Sequence, residues 1–236
     1  YLAGLQPRRA QILDLVTWYE RELERLGVTV RFHSPLEADD VRAEGAEVVL
    51  LATGSLPAET GFQKALPGVP RLPGYDPTRV FSVEDVMRGA ARLGRRVVVL
   101  DEGGNWRGCG TAWKLAEDGH EVVLVTPDPL VGKELQRSAA DFPLRQRLAR
   151  AGVTFLVDAA IREWSESGAE VISLLDGATR HLRADNLVLA TVNTAFDELS
   201  RALPGYSGDL YSIGDCVAPR QAAFVIHEGR KVGLSI

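Results

Sequence analysis

The sequence predicts an α/β protein built from two related modules, the second of which is inserted into the first. Three observations support this prediction. Two segments each occur twice along the chain, a complete strand–helix–strand pattern precedes the second copy, and no such pattern precedes the first copy. Strands that alternate with helices are typical of a parallel sheet covered by helices.

The first repeated segment combines the end of a helix with the start of a strand. Residues 23–30 read LERLGVTV, and residues 148–155 read LARAGVTF. Because glycine adopts a left-handed conformation without a steric penalty, we expect Gly27 and Gly152 to terminate their helices. The first helix is predicted over residues 9–26, where apolar residues recur at helical spacing and form one stripe.

The second repeated segment is a short apolar run followed by Ala-Thr. Residues 47–55 read EVVLLATGS, and residues 186–194 read NLVLATVNT. Such runs are typical of strands that are buried on both faces. Each copy is therefore predicted to contain a helix, a glycine, a strand, intervening loops and strands, and a final buried strand.

Only the second copy is preceded by a complete βαβ pattern. Residues 96–101 and 121–126 are predicted to be strands, with a helix over residues 111–118 between them. A glycine-rich turn over residues 103–110 leads into that helix. If the two copies are homologous, an equivalent βαβ unit belongs before Tyr1. We therefore expect a fragment whose first domain lacks its N-terminal βαβ unit.

The domain layout is inferred from the repeat and from the connecting segments. Residues 67–77 are rich in proline and glycine and are predicted to form an extended crossover between the copies. Residues 210–236 resemble neither copy. The predicted layout has an incomplete first domain at residues 1–90 and 200–236, and a second domain at residues 91–199.

Composition excludes several classes of function. The formal net charge of -5 gives no reason to expect nucleic acid or an anionic membrane as a partner. No apolar run approaches the roughly 20 residues of a membrane-spanning helix. Cys109 and Cys216 form no Cys-x-x-Cys pair, which excludes a dithiol redox motif. Two lone thiols are typical of a protein in the reducing cytoplasm, which is the expected location. No histidine pair has metal-ligand spacing, so no metal site is predicted.

Several short motifs resemble the nucleotide-binding markers of a known family. Residues 211–215 read YSIGD, and a helical stretch opens soon afterwards with Arg-Gln-Ala. This combination resembles the C-terminal flavin motif of pyridine-nucleotide–disulfide oxidoreductases. Residues 52–54, Ala-Thr-Gly, resemble the second marker of the same family. The resemblance implies two Rossmann-like FAD/NAD(P)-binding domains.

A narrower resemblance covers nearly the whole chain. The turn DEGGNWRGCG, the subsequent TAWKLAEDGHEVVLVTP and the ending IGDCVAPRQ resemble the C-terminal region of NADH:flavin oxidoreductases related to old yellow enzyme. Trimethylamine dehydrogenase, histamine dehydrogenase and 2,4-dienoyl-CoA reductase belong to that branch. The resemblance implies a parent protein whose N-terminal barrel carries FMN and a 4Fe–4S cluster. That barrel is the expected partner of this region. Whether the protein also forms a homo-oligomer is left open by the sequence.

The same resemblance assigns roles at the Ala-Thr-Gly and Gly-Asp motifs. Asp215 is expected to accept a hydrogen bond from a ribityl hydroxyl of FAD, for which a charged acceptor is well suited. Glycine at positions 54 and 214 would let the dinucleotide approach the backbone. The alternative is a Gly-Asp turn that only caps a helix. The residues predicted to bind FAD or ADP are Ala52, Thr53, Gly54, Gly214, Asp215, Arg220, Gln221 and Ala222.

The turn after the second copy's first strand departs from the Gly-x-Gly-x-x-Gly pattern that binds pyrophosphate. Asp101 and Glu102 open this turn, and their carboxylates would repel a phosphate unless they point away. Thr126 stands where an acidic residue would bind a ribose hydroxyl. NAD(P)H binding is therefore only one possibility, and a domain that keeps the fold without this cofactor is the other. The residues predicted for NAD(P)H are Gly103, Gly104, Gly108, Gly110 and Thr126.

The sequence thus predicts a fragment of a flavin-dependent oxidoreductase that contributes dinucleotide binding and electron transfer. A structural module that orders the parent's domains without binding a dinucleotide is the alternative. No nucleophile arrangement is recognisable, so no catalytic residue is assigned. We expect the isolated fragment to be inactive and to retain FAD weakly or not at all, because half of the first site would be missing.

Overall fold

The computed structural model describes all 236 residues, which divide into two compact units. The larger unit contains residues 1–26 and 58–192, and the smaller unit contains residues 27–57 and 193–236. These boundaries differ from those predicted for the domains. One part of the difference is that Val80–Ser82, expected in the first domain, pair with the central sheet of the larger unit. Which unit corresponds to which nucleotide-binding domain stays a prediction.

The chain alternates between helices and short strands. The helices are α1 (Ile12–Arg25), α2 (Ala38–Glu44), α3 (Val83–Arg88), α4 (Trp106–Glu117), α5 (Asp141–Arg150), α6 (Glu198–Ala202) and α7 (Ala222–Gly233). The strands are β1 (Val48–Leu51), β2 (Ser55–Pro57), β3 (Val80–Ser82), β4 (Arg96–Asp101), β5 (Glu121–Val125), β6 (Thr154–Leu156), β7 (Ala159–Ser165), β8 (Gly168–Ser173), β9 (Thr179–Arg183), β10 (Asn186–Ala190), β11 (Asn193–Ala195) and β12 (Asp209–Ser212).

Five parallel strands form the central sheet of the larger unit, in the order β3-β10-β4-β5-β6. The predicted strands on either side of the glycine-rich turn are confirmed as the neighbours β4 and β5. On β4, Val97 and Val99 belong to one core cluster, whereas Val98 and Leu100 belong to another. Because successive side chains point to opposite faces, the four central residues of β4, Val97 to Leu100, must all be apolar to fill both clusters.

The two faces of this sheet are covered by different structures. One core cluster includes residues of α3, α4 and α5, among them Trp113 and Leu148. The other cluster includes Trp164 and Val171 from the antiparallel sheet β7-β8-β9. The sheet of the larger unit is therefore buried on both faces, as the sequence of β10 also predicts, since every residue of β10 is buried.

The helix between β4 and β5 begins earlier than the predicted residue 111. It begins at Trp106, because the Asn105 side chain accepts a hydrogen bond from the Arg107 N–H at 2.8 Å and caps the helix. The glycine-rich turn is therefore short, and Gly108 and Gly110 lie inside α4. The prediction was wrong here because glycine has a low helix propensity, which tertiary packing overrides in this case.

Residues 58–79 contain no helix or strand, and we call them the crossover segment. Two sets of hydrogen bonds hold it against β7. The buried Gln63 side chain donates to Ile161 O at 2.7 Å and accepts from Ile161 N at 2.9 Å. Pro73 O accepts a hydrogen bond from Trp164 N at 2.9 Å. The crossover segment is fixed at defined points, but it is a succession of turns and not the extended stretch that its composition predicts.

We expect Gln63→Ala to lower the free energy of unfolding by about 2–4 kcal/mol, because it leaves a buried N–H and a buried carbonyl of Ile161 without partners. Urea unfolding followed by tryptophan fluorescence measures this loss. Gln136→Ala is the matched control, since Gln136 is exposed and its loss should change stability by less than about 0.5 kcal/mol. Equal stability of the two variants would contradict the proposed anchoring.

The smaller unit contains two short sheets and a small core. β1 pairs with β12 in parallel, and β2 pairs with β11 antiparallel. Val41, Leu51 and Leu203 form the buried core. The prediction of a strand buried on both faces is wrong for β1, because Val48 and Leu50 are 36% and 38% exposed. Val48 and Leu50 lie on the face of β1 opposite Leu51, and they belong to none of the core clusters.

The internal repeat is present in part. Gly27 and Gly152 come after α1 and α5 and have φ angles of 69° and 81°, the left-handed conformation that the sequence predicts. The strand expected after Gly152 is formed as β6, which pairs with β5. The strand expected after Gly27 is not formed. Residues 28–30 have no neighbouring strand here, and a strand needs a hydrogen-bonding partner to persist.

The apolar stripe of α1 is present but unburied. α1 lies within the predicted range 9–26, yet none of its residues is buried. Leu15, Trp18 and Tyr19 are each about half exposed. α7 likewise has no buried residue. None of the helices combines the length and apolar character that crossing a membrane requires.

Candidate functional site

The candidate site in the smaller unit lies where β1 and β12 end. The two strands are parallel, and Leu51 is in register with Ser212. The next segments, residues 52–55 and 213–216, therefore leave the sheet at the same edge. Ile213 N donates to Leu51 O at 2.9 Å and holds these segments together. In open α/β sheets, ligands bind at the carboxyl ends of parallel strands.

Two glycines lie at this edge, and one of them, Gly54, leaves the backbone open. Gly54 and Gly214 have φ angles of 82° and 74°, which non-glycine residues rarely adopt. A Cβ atom at Gly54 would meet no heavy atom within 4 Å, so the backbone there is accessible. A Cβ atom at Gly214 would lie 3.0 Å from Val225 Cγ1. Gly54 is therefore the position at which a ligand can approach the main chain most closely.

The half-buried Asp215 carboxylate lies beside this open backbone. Its Oδ2 accepts a hydrogen bond from Ser55 Oγ at 3.1 Å, and its Oδ1 accepts one from Arg220 N at 3.2 Å. Asn193 Nδ2 donates to Ser55 Oγ at 3.1 Å. Each carboxylate oxygen has a second lone pair, so Asp215 can still accept hydrogen bonds from hydroxyl groups of a ligand.

The remaining predicted residues of this set have structural partners. Thr53 Oγ1 donates to Phe196 O at 2.5 Å, while the neighbouring Ala52 is exposed. Arg220 Nη2 bonds to Glu228 Oε2 at 2.5 Å, and the same oxygen accepts from Gly214 N at 2.6 Å. The predicted residues Gln221 and Ala222 form the N-cap and the first residue of α7.

Glu228 holds the Gly-Asp turn and was not identified from the sequence. The Gly214 N–H, followed by the Arg220 guanidinium, keeps the pKa of Glu228 below its ordinary value. Ser55 and Asn193 were also missed as partners of Asp215. No local pattern marks any of the three, because each partner lies on a different segment of the chain.

A second group of predicted residues surrounds Asp101 at the end of β4 in the larger unit. The Asp101 carboxylate is fully buried, and its Oδ1 accepts hydrogen bonds from Gly103 N and Gly104 N, both at 3.0 Å. Cys109 Sγ donates to Oδ2 at 3.3 Å. A Cβ atom at Gly108 would collide with the Asp101 carboxyl group, so this glycine makes room for Asp101.

Burial controls the ionisation of both side chains in this group. Loss of water raises the pKa of Asp101 to about 6, although hydrogen bonds from the Cys109 thiol and from the two glycine amides act in the opposite direction. Burial, followed by the negative charge of Asp101, raises the pKa of Cys109 well above its ordinary value. Cys109 is therefore a buried thiol and not a reactive thiolate.

The last two predicted residues of this set are engaged inside the larger unit. Gly110 packs against the buried Gln6 side chain, because a Cβ atom there would lie 2.6 Å from Gln6 Cδ. Gln6 Nε2 in turn donates to Trp106 O at 2.9 Å. Thr126 is buried, and its Oγ1 accepts from Asp128 N at 3.3 Å. Neither residue presents an unoccupied polar group at the surface of the turn.

The two edges differ in how well they suit a dinucleotide. The edge formed by Gly54, Gly214 and Asp215 has an accessible backbone and a carboxylate with unused acceptor capacity. The turn after β4 has its leading amides bonded to Asp101. FAD or ADP therefore fits the residues of the smaller unit, whereas a pyrophosphate does not fit the turn of the larger unit as it stands. No group of three His, Cys, Asp or Glu residues is arranged to hold a metal ion.

Comparison with known proteins identifies one family model. The model described as pyridine nucleotide-disulphide oxidoreductase matches residues 28–202. The matched residues include the Ala-Thr-Gly segment at positions 52–54 and the turn after β4. Asp215 lies beyond the matched range, so its role depends on the geometry given above.

Curated relatives and solved structures extend the comparison. The chain is 28% identical over 216 residues to a probable N-methylproline demethylase of Rhizobium meliloti (strain 1021), covering 90% of this chain and 30% of that protein. It is 27% identical to an NADH oxidase of Thermoanaerobacter brockii, covering 100% and 35%. The structure of 6-hydroxypseudooxynicotine amine oxidase from Pseudomonas geniculata N1 matches with a TM-score of 0.91 and 29% identity, covering 98% and 35%.

A further structure supports the fold alone. Histamine dehydrogenase from Rhizobium sp. 4-9 matches with a TM-score of 0.91 at 23% identity, covering 98% of this chain and 37% of that chain. In each of these comparisons the chain spans about a third of the relative's length.

Proposed function

This chain belongs to the pyridine nucleotide-disulphide oxidoreductase family, and from that premise we propose that it is the nucleotide-binding part of a larger flavin-dependent oxidoreductase. The names of its relatives, a demethylase, an NADH oxidase and an amine oxidase, all describe redox enzymes. The share of about a third that the chain covers in them supports a parent with further domains. We propose that those domains include the barrel with FMN and a 4Fe–4S cluster.

The observation that carries this proposal is the edge of the smaller unit where Gly54, Gly214 and Asp215 meet. Asp215 would accept hydrogen bonds from hydroxyls of FAD or of the ADP ribose, since each of its oxygens has one protein donor and room for another. Gly54 would allow the dinucleotide to pass over the backbone. FAD, when bound, supplies the electron-transfer chemistry, and the residues of this chain position it.

The residues around Asp215 would keep its carboxylate in a fixed orientation. Ser55 holds one oxygen and is itself held by Asn193, while the backbone of Arg220 holds the other. A carboxylate held in this way is correctly oriented before the ligand arrives, which lowers the entropic cost of binding. The proposed partner of the chain is the remaining portion of its parent, and self-association is a further possibility that the proposal does not need.

The alternative function, a structural module without a dinucleotide, is favoured by one observation only. The amides of Gly103 and Gly104, which would face a pyrophosphate in a binding turn, are bonded to Asp101. This observation concerns the larger unit and leaves the edge of the smaller unit unaffected. The alternative therefore applies to the NAD(P)H site and not to the FAD or ADP site.

The proposal is tested by titrating ADP and FAD into the 236-residue chain and into its Asp215→Ala variant, using isothermal titration calorimetry. We expect weak but saturable binding to the wild type. Loss of a charge-assisted hydrogen bond of about 1.5–3 kcal/mol predicts an affinity that is lower by about tenfold to a hundredfold in the variant.

Asp209→Ala is the matched control for this test. Asp209 is an exposed carboxylate on β12 in the same unit, and its loss removes the same charge. We expect the affinity of this variant for ADP and FAD to equal that of the wild type. The proposal would be refuted if Asp215→Ala bound both ligands as tightly as Asp209→Ala did.

A further inference from the structure

The turn between β4 and α4 contains the features of a phosphate-binding turn, but its amides already have an anionic partner. Gly103 N and Gly104 N both donate to Asp101 Oδ1 at 3.0 Å. We propose that the Asp101 carboxylate is a built-in substitute for a nucleotide phosphate, so that this turn is closed to the pyrophosphate of NAD(P)H. The proposal does not depend on nucleotide binding by the smaller unit.

The first argument is that the carboxylate is fully enclosed by protein donors. Asp101 is 0% exposed, so bulk solvent does not reach it. Two backbone amides bond to Oδ1, and the Cys109 thiol bonds to Oδ2. A phosphate bound at a strand–helix turn is held by the same type of donors, namely successive backbone amides. The protein thus provides the anion that its own turn is shaped to hold.

The second argument is that the space beside Gly108, the glycine inside the helix, is occupied by the Asp101 side chain and is not available to a ligand. Gly108 lies in the first turn of α4, where a side chain would collide with the Asp101 carboxyl group. In a dinucleotide-binding turn, the glycine that opens the helix allows close packing of the helix on the strand, and the glycine before it allows the pyrophosphate to approach. Here the space that Gly108 leaves is filled by a residue of β4.

The third argument is that the neighbouring amides and charges also exclude a phosphate. The Asn105 side-chain oxygen accepts a hydrogen bond from the Arg107 N–H, so the start of α4 is already capped. Glu102 lies next to Asp101, and its Oε1 accepts from Ala65 N at 3.2 Å. Burial raises the pKa of Glu102, and its second carboxyl oxygen has no hydrogen-bond partner. A phosphate entering here would meet two carboxyl groups and few available donors.

Displacement of Asp101 by a ligand is therefore unfavourable. A phosphate that took the amides of Gly103 and Gly104 would leave a buried carboxylate with the Cys109 thiol as its remaining donor. A buried charge without adequate hydrogen bonds is strongly destabilising. Because Asp101 is covalently attached at the site, it also competes without losing the translational freedom that a free ligand gives up.

The direct test observes the turn in the wild-type 236-residue chain. Amide resonances of Gly103 and Gly104 are followed by ¹H–¹⁵N NMR during titration with inorganic pyrophosphate, NADH and NADPH. We expect these two resonances to stay unchanged at millimolar ligand. Saturable shifts of both resonances with any of the three ligands would overturn the proposal. The resonances of Gly54 and Gly214 in the same spectra report separately on the smaller unit, so failure of one site is not mistaken for failure of the other.

The second test removes the substitute anion. We expect Asp101→Ala to bind pyrophosphate at least tenfold more tightly than the wild type does, because two turn amides lose their partner. Asp118→Ala is the matched control, since it removes one exposed carboxylate from the other end of α4 and should bind no more tightly than the wild type. A folded Asp101→Ala chain without gained affinity would refute the role of Asp101 as a phosphate substitute. If this variant does not fold, the wild-type NMR titration decides the question alone.

Discussion

The Gly74→Ala variant is expected to lose about 3–5 kcal/mol of unfolding free energy. A Cβ atom at Gly74 would overlap the backbone carbonyl of Trp164 on β7. Backbone atoms in a strand cannot rotate away as a side chain can, so the crossover segment would have to separate from β7. That separation would also break the hydrogen bond from Trp164 N to Pro73 O. The φ angle of 72° adds the cost of a left-handed alanine.

The Gly177→Ala variant measures the cost of a left-handed alanine alone. Its comparison with Gly74→Ala therefore gives the cost of the collision with Trp164. Gly177 has a φ angle of 74°, nearly the same as that of Gly74, but a Cβ atom there meets nothing within 4 Å. We expect this control to lose only about 1–2 kcal/mol. Urea unfolding of both variants, followed by tryptophan fluorescence, gives the comparison. Equal losses would show that the contact between the crossover segment and β7 does not limit stability.

The second large effect is a dependence of stability on pH that originates at Asp101. Its pKa is raised from 3.8 to about 6 in the folded chain. Burial is the main cause, and the nearby Asp128 carboxylate adds to it. The folded chain therefore binds this proton more tightly than the unfolded chain does. The resulting stabilisation is present in full below pH 3.8 and is lost as the pH rises through about 6.

This difference in pKa corresponds to about 2–3 kcal/mol between the acidic and neutral ends of the range. We expect Asp101→Asn to remove this contribution, because the asparagine keeps an acceptor for the Gly103 and Gly104 amides but does not titrate. Asp76, Asp185 and Asp197 have lowered pKa values and act in the opposite direction. The informative quantity is therefore the difference in unfolding free energy between wild type and variant.

That difference is measured by urea unfolding at intervals between pH 4 and pH 7. We expect the Asp101→Asn variant to become more stable relative to the wild type as the pH rises. Asp118→Asn, which removes an exposed carboxylate, is the control. A curve for Asp101→Asn that runs parallel to that of the wild type would exclude a titrating carboxyl group at this position.

The strands show which parts of the fold local sequence can predict. β10 and β1 have similar apolar sequences, and both were predicted to be buried on both faces. β10 is buried because β3 and β4 border it and core clusters cover its faces. β1 is half exposed because only the face that carries Val49 and Leu51 packs against a core cluster. The pattern predicts the strand, but burial depends on neighbours that the pattern does not contain.

The candidate sites show a similar limit. Gly54, Gly214 and Asp215 were found because they lie in short motifs. Ser55 and Asn193, which orient Asp215, are 138 positions apart in the chain, so no local spacing could reveal their contact. The sequence showed that the carboxylates after β4 conflict with a phosphate. It could not show that one of them, Asp101, bonds to the turn's own amides.

Each compact unit contains one cysteine, which can report on the opening of that unit. Cys109 lies in the larger unit, Cys216 lies in the smaller unit, and both are buried free thiols. Cys216 is held by Leu51 O and Ile213 O at the edge where β1 and β12 end. A thiol-specific alkylating reagent can reach either sulfur only after the surrounding unit opens. The alkylation rates of the two cysteines, resolved by mass spectrometry, would therefore measure how often each unit opens, without any engineered label.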